Sequence, residues 1–190
     1  MIRTATEPDV PSVARLHASE IADGFLSSLG PRFLACLYRR IARHPGTVLL
    51  VADDHGEIVG FVAAAESTGA LYRSFLARDA LRVAVAAGPR LLGAARRVVE
   101  TLRYPAGSHA GACAEVLAVA VAPRARGRGL GGALVAAATD ELARRGHTAV
   151  RVVTVSGNEP AIALYRRCGF RRAGTLVLHR GTASQVLERR

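Results

Sequence analysis

The stretch from Val119 to Ala138, "VAVAPRARGRGLGGALVAAA", concentrates the residues best suited to holding an anion. Its glycines at 127, 129 and 132 spell G-x-G-x-x-G, the spacing of a dinucleotide loop, and arginines stand at 124, 126 and 128. Glycine lets a backbone approach a phosphate with no Cβ in the way. A helix starting near Gly129 turns its unpaired N–H groups and positive dipole end toward the same anion. A dinucleotide would also need a carboxylate about 20 residues further on to bind a ribose hydroxyl. The strand that follows ends "VRVVTVSGN" and offers no carboxylate before Glu159. A lysine-bearing phosphate loop is excluded because every one of the 26 basic residues is arginine. Nucleic acid fits poorly, since aromatic content is 5% and the basic run carries no interleaved aromatics. A compact diphosphate cradle remains, with a glycine turn required only for packing as its structural alternative.

The periodicity predicts the elements that must position this loop. Ile2 to Thr6 reads as a strand, and "EPDVPSVARLHASEI" as a helix with an acidic first turn. "GFLSSLG" reads as a turn; "PRFLACLYRRIARH" places Phe33, Leu34, Leu37, Tyr38 and Ile41 on one helical face between Pro31 and Pro45. "TVLLVADDHGEIVGFVAAAE" predicts a hairpin turning at Asp53 to Gly56. Residues 70–104 are rich in alanine, leucine and arginine and predict two helices broken at Gly88-Pro89, either with solvated polar faces or as a basic wall beside an anionic substrate. "CAEVLAVAVAP" is apolar on both faces, which places it inside a sheet rather than at an edge. A helix closed by Gly146, the strand "TAVRVVTVS", the helix "AIALYRRCG" and two closing strands complete the chain. The expected fold is α+β, with a mixed, twisted central sheet of six to seven strands flanked by helices in one domain over 1–190.

Composition narrows the classes further. The formal charge of +11 predicts a surface that attracts anions. No apolar run approaches the roughly 20 residues of a spanning helix, and the N-terminus carries acids and prolines where a secretory peptide has an apolar core, so a cytoplasmic protein is expected. Cys36, Cys113 and Cys168 are too widely spaced for a metal or redox pair. The six histidines show no ligand spacing, so no metal is expected.

The run "EVLAVAVAPRARGRGLGGAL" resembles the coenzyme A motif of the GNAT superfamily of N-acetyltransferases, R/Q-x-x-G-x-G/A, through Arg126, Gly129 and Gly131. "NEPAIALYRRCGF" resembles that superfamily's second signature through Asn158, Ala161, Leu164, Tyr165, Gly169 and Phe170. The resemblance is close from Glu115 to Phe170 and rests on element order alone from Ile2 to Glu66. It implies acetyl-CoA as co-substrate, with the pantetheine arm lying along the main chain of Val119, Ala120 and Val121 and the N–H of Val119 toward the thioester oxygen. It implies a diphosphate held by the loop of Arg126, Gly127, Arg128, Gly129, Gly131 and Gly132. Tyr165 would be the general acid, Asn158 a pantetheine contact or a helix cap, and Glu115 a general base, with an ordinary carboxylate–arginine pair as the competing reading for Glu115. Direct attack of the amine on the thioester is expected, and Cys113 and Cys168 keep a covalent route open.

The acceptor is not specified by these motifs. Glu20 and Asp23 suit an ammonium, while Arg73, Arg82 and Arg96 suit a phosphate or carboxylate on the same small molecule, such as a nucleotide-linked amino sugar or an amino acid. A protein N-terminus or lysine is the enzymatic rival; an acetyl-CoA sensor or a basic nucleic-acid module is the non-enzymatic one. A homodimer through the closing strands or the apolar insert stays open.

Overall fold

The computed structural model describes residues 1–22, 25–87, 113–178 and 182–190. Seven strands, β1 (Ile2–Thr4), β2 (Thr47–Asp54), β3 (Glu57–Ala65), β4 (Ala114–Val121), β5 (Val150–Val155), β6 (Arg171–Leu178) and β7 (Thr182–Arg189), form one sheet in the order β1-β2-β3-β4-β5-β7-β6. Only β4 and β5 run parallel; the other neighbours are antiparallel. The doubly apolar run thus becomes the fourth of seven strands, where both of its faces are covered. The predicted hairpin joins β2 to β3, with His55 and Gly56 at positive φ in its turn.

Six helices among the described residues cover the sheet: α1 (Val10–Glu20), α2 (Phe25–Ser28), α3 (Pro31–Arg43), α4 (Thr68–Ala87), α5 (Leu130–Arg144) and α6 (Glu159–Arg167). Neighbouring residues of β3 show that they form two layers. Phe61 stacks on His17 of α1, their ring centroids 6.2 Å apart, whereas a Cβ on Gly60 would meet Leu134 of α5 at 3.1 Å. The five apolar residues predicted for the core face of α3 are all buried. The segment expected as a bare turn instead closes one helical turn, α2, because the Ser27 hydroxyl donates to the Ile21 carbonyl at 2.6 Å and Leu29 plugs into the core. α4 begins at Thr68 and runs unbroken to Ala87, with Leu71 and Phe75 inward. A buried ion pair between Arg40 and Asp79, 2.7 Å, pins it to α3. The break expected at Gly88-Pro89 and the second helix of the insert lie outside the described residues.

The turn from β4 into α5 is fixed by backbone conformation. Gly127 and Gly129 have φ of 76° and 75°, the left-handed region that costs an L-residue about 1–2 kcal/mol, and Gly129 is the N-cap of α5. A Cβ at Gly129 would touch nothing within 4 Å, so the requirement comes from φ and not from space. Gly129→Ala is therefore expected to lose about 1 kcal/mol in chemical denaturation, whereas Gly157→Ala, with no positive φ and open space around it, should lose much less.

Under α1 lies a buried polar group that reports on folding. His17 Nδ1 lies 2.6 Å from the Tyr38 hydroxyl, its Nε2 has no partner, and burial lowers its pKa from 6.5 to about 4. Below pH 6.5 the unfolded chain protonates this imidazole while the folded chain does not. Stability is therefore complete above pH 6.5 and falls as pH drops toward 4. Equilibrium unfolding should show a loss of about 2 kcal/mol between pH 6.5 and 5, a loss absent in His17→Gln.

Candidate active site

The parallel pairing of β4 with β5 lasts three residues, Ala114↔Val150, Glu115↔Arg151 and Val116↔Val152. Beyond Val116 the register of β4 against β3 slips by one residue at Leu117, a bulge that turns the strand where it leaves β5. From Ala118 to Val121, β4 is paired on the β3 side, and no ladder to β5 accompanies it. The hydrogen-bond alternation then sets which main-chain groups face the gap. Ala122 donates to the Val59 carbonyl at 2.8 Å, so Ala120 and Ala118 face β3 in the same way, and Val119 and Val121 present their N–H and C=O groups to the opposite side. The Val121 carbonyl does accept from that side, from Arg126 Nε at 3.2 Å. Of the three main-chain positions expected along the gap, Val119 and Val121 face it, and Ala120 is turned to Phe61.

At the foot of the gap Glu115 is buried, 7% exposed. Its Oε2 receives Arg151 Nε at 2.9 Å, with Arg151 Nη2 at 2.8 Å, and the Thr68 hydroxyl at 3.2 Å. These contacts clasp β4, β5 and the start of α4 within the short stretch where the two strands are joined, one pair before they part. The phenol of Tyr72 is pushed up to well above the usual phenol range by burial, with the charge of Glu115 adding to the effect.

Between α5 and α6 the gap opens into a groove of about 900 Å³. Val121, Arg126, Gly127 and Gly129 form its near end, Gly131 and Gly132 its floor on α5. Leu164 and Cys168 face it from α6. A Cβ on Gly131 would come within 3.5 Å of Leu164, so the glycines keep the two helices close while leaving the floor bare. No carboxylate stands among the lining residues, which include three arginines, Arg126, Arg167 and Arg189. The volume, the main-chain donors at the helix start and this charge all fit a coenzyme with a diphosphate and a narrow arm.

The loop arginines are paired in this state. Arg126 bridges to Glu20, which also accepts from Ser19. Arg128 reaches Asp54 at 3.1 Å, and Arg124 reaches Glu57. Arg128 therefore stands off the groove wall, and Glu20, expected at an acceptor site, is paired with Arg126 of the glycine loop. Asn158 caps α6, its side chain accepting from the Ala161 N–H at 3.2 Å. Tyr165 is buried in the core, 5% exposed, with its ring edge-on to Phe170 at 5.7 Å. Burial holds its phenol far above the usual range, so it is protonated at any physiological pH.

Arg73 is exposed on the outer side of α4, away from the buried Leu71 and Phe75. Asp23, the Arg82 side chain and Arg96 lie outside the described residues. Sequence reasoning missed Arg151, Arg167 and Arg189. Arg167 was within reach of it, since Pro160, Leu164, Arg167 and Cys168 recur at helical spacing along one face. Among the described residues no group of three or more His, Cys, Asp or Glu could hold a metal ion, and no helix is long and apolar enough to cross a membrane.

Residues 18–170 match the Acetyltransferase (GNAT) family. The chain is similar to the mycothiol acetyltransferase of Clavibacter sepedonicus, 49% identical over 70 residues that make up 37% of this chain and 23% of the relative. It is 46% identical over 90 residues to that of Pseudarthrobacter chlorophenolicus, 47% of this chain and 27% of the relative. The matches thus span about a quarter of these relatives. Its fold is that of the ribosomal-protein-alanine N-acetyltransferase from Brucella melitensis, at TM-score 0.65 and 23% identity over 100% of this chain and 98% of that one. It is equally that of a phosphinothricin acetyltransferase from Sinorhizobium meliloti solved with acetyl-CoA, at TM-score 0.65 and 18% identity over 100% and 86% of the two chains. With the family matched over most of its length, and with the split sheet and glycine loop in place, the chain belongs to the Acetyltransferase (GNAT) family.

Proposed function

We propose that the chain acetylates the primary amine of a small molecule by direct attack on the thioester, working as a single catalytic domain over 1–190 in the cytoplasm. The observation that carries this reading is the main chain of Val119 and Val121 facing a gap that opens into a groove with no carboxylate among its described lining residues. Acetyl-CoA supplies the activated acyl group. Val119 and Val121 would hold the pantetheine amides, and the loop N–H groups from Gly127 to Gly132 would hold the diphosphate with Arg126. Arg126 must first exchange Glu20 and the Val121 carbonyl for the phosphate, an exchange of one carboxylate for a more highly charged partner.

The N–H of Val119 would stabilise the oxygen that gains charge during transfer. Tyr165, kept protonated by burial, would give its proton to the leaving sulfur. Glu115 would accept the proton of the amine, directly or through water, at the oxygen that Arg151 and Thr68 do not hold, Oε1. The three cysteines are free thiols, which suits a reducing compartment. A small acceptor is favoured by relatives whose name is mycothiol acetyltransferase.

Coenzyme A release from acetyl-CoA tests the reading when small amines, including amino sugars and amino acids, are offered in one set and peptides with free N-termini in another. Turnover should be confined to the small amines; turnover confined to peptides would overturn the acceptor class. Tyr165→Phe should lower kcat by about 100-fold with little change in the KM for acetyl-CoA. Glu115→Gln should lose activity at neutral pH and regain it as pH rises and the amine becomes neutral unaided. An unchanged rate in either variant would remove that residue from the mechanism.

A further inference from the structure

The groove carries more positive charge than a diphosphate at the loop requires. Arg126 stands at the loop end, while Arg167, on the last turn of α6, and Arg189, on β7, line the wall beside Cys168 and Gly169. Arg189 is set in place, since its Nη1 donates to the buried Thr139 hydroxyl at 2.7 Å and its stem passes 3.9 Å from where a Cβ on Gly169 would sit. Among the described residues its acidic partner is Asp140, 4.0 Å away and mostly exposed. Arg167 is exposed on the groove side of α6. This end of the groove lies at the C-terminus of α6, where the helix dipole is negative and repels anions. Two arginines there more than offset the dipole, which makes the spot selective for an anion that brings substantial charge of its own.

Resting on the coenzyme groove proposed above, we infer that Arg167 and Arg189 form a second anion subsite, which takes the phosphomonoester on the coenzyme's ribose. Coenzyme A carries its phosphates in two places, the diphosphate and this monoester, and the groove offers two groups of donors, Arg126 with the loop and Arg167 with Arg189, with no carboxylate among the described lining residues. The loop reads the diphosphate common to many nucleotides. The arginine pair reads the phosphate that distinguishes coenzyme A from its 3′-dephospho form and from protein-bound phosphopantetheine. It is thus a specificity device for the free coenzyme.

Calorimetric affinity for coenzyme A and for 3′-dephospho-coenzyme A tests this without turnover. The unmodified chain should bind the phosphorylated form about 30-fold more tightly. Arg167→Ala should cut that preference to roughly a third or less of its value by removing one charged contact. Arg189→Ala should do the same, and Arg167→Lys should restore part of it. Arg167 is exposed, so its variants keep the test open if Arg189→Ala fails to fold. Arg172, exposed on β6 and absent from the groove wall, provides the charge-matched control, and Arg172→Ala should keep the full preference. Equal affinity for the two forms, or a preference that survives in Arg167→Ala and Arg189→Ala, would overturn the subsite alone. Failure to bind either form would overturn the groove assignment and the subsite with it.

Discussion

A sheet can part only where something else satisfies its backbone, because a buried N–H or C=O without a partner costs about as much as a lost hydrogen bond. The central strands here part after three residue pairs, and the arrangement around them follows from that. Below the split, the Glu115 carboxylate ties β4, through Arg151 and Thr68, to β5 and α4. Above it, the bulge at Leu117 swings β4 away, and its alternation turns Val119 and Val121 to the opened side. In the state described, one of those carbonyls is capped by Arg126. A coenzyme arm lying in the gap would replace that stand-in with a full set of main-chain partners.

The loop after β4 continues the same logic. Two left-handed glycines reverse the chain so that α5 starts with its amide groups toward the groove, and bare glycines on its first turn let α6 approach closely. The acids near the loop arginines, Glu20, Asp54 and Glu57, belong to α1 and the β2–β3 hairpin, not to the groove wall. They hold the arginines near the mouth while keeping negative charge out of the groove. Arg167 and Arg189 extend the positive wall to its far end.

The parts of this site that were legible in the sequence are those encoded locally. The loop glycines, the Asn158 cap and the apolar run of β4 each follow from short-range spacing, and the apolar character of both faces of that run predicted its central place. Pairings between distant residues were not legible: Arg151 meets Glu115 because two strands lie side by side, and Arg189 reaches the groove from the penultimate residue of the chain. Nor could spacing show where β4 and β5 separate, since the bulge at Leu117 leaves no mark on an apolar run. The partner of Glu20 was hidden for the same reason, since it meets Arg126 by a contact across more than half the chain.

The central claim is that the opened edge of β4 is where the coenzyme lies, and amide hydrogen exchange of the separate residues of that strand, with and without acetyl-CoA, tests it most directly. The account predicts that the Val119 and Val121 amides become strongly protected when the coenzyme binds, while Ala120, already bonded to β3, changes little. Protection confined to the glycine loop, with Val119 and Val121 exchanging as before, would contradict it.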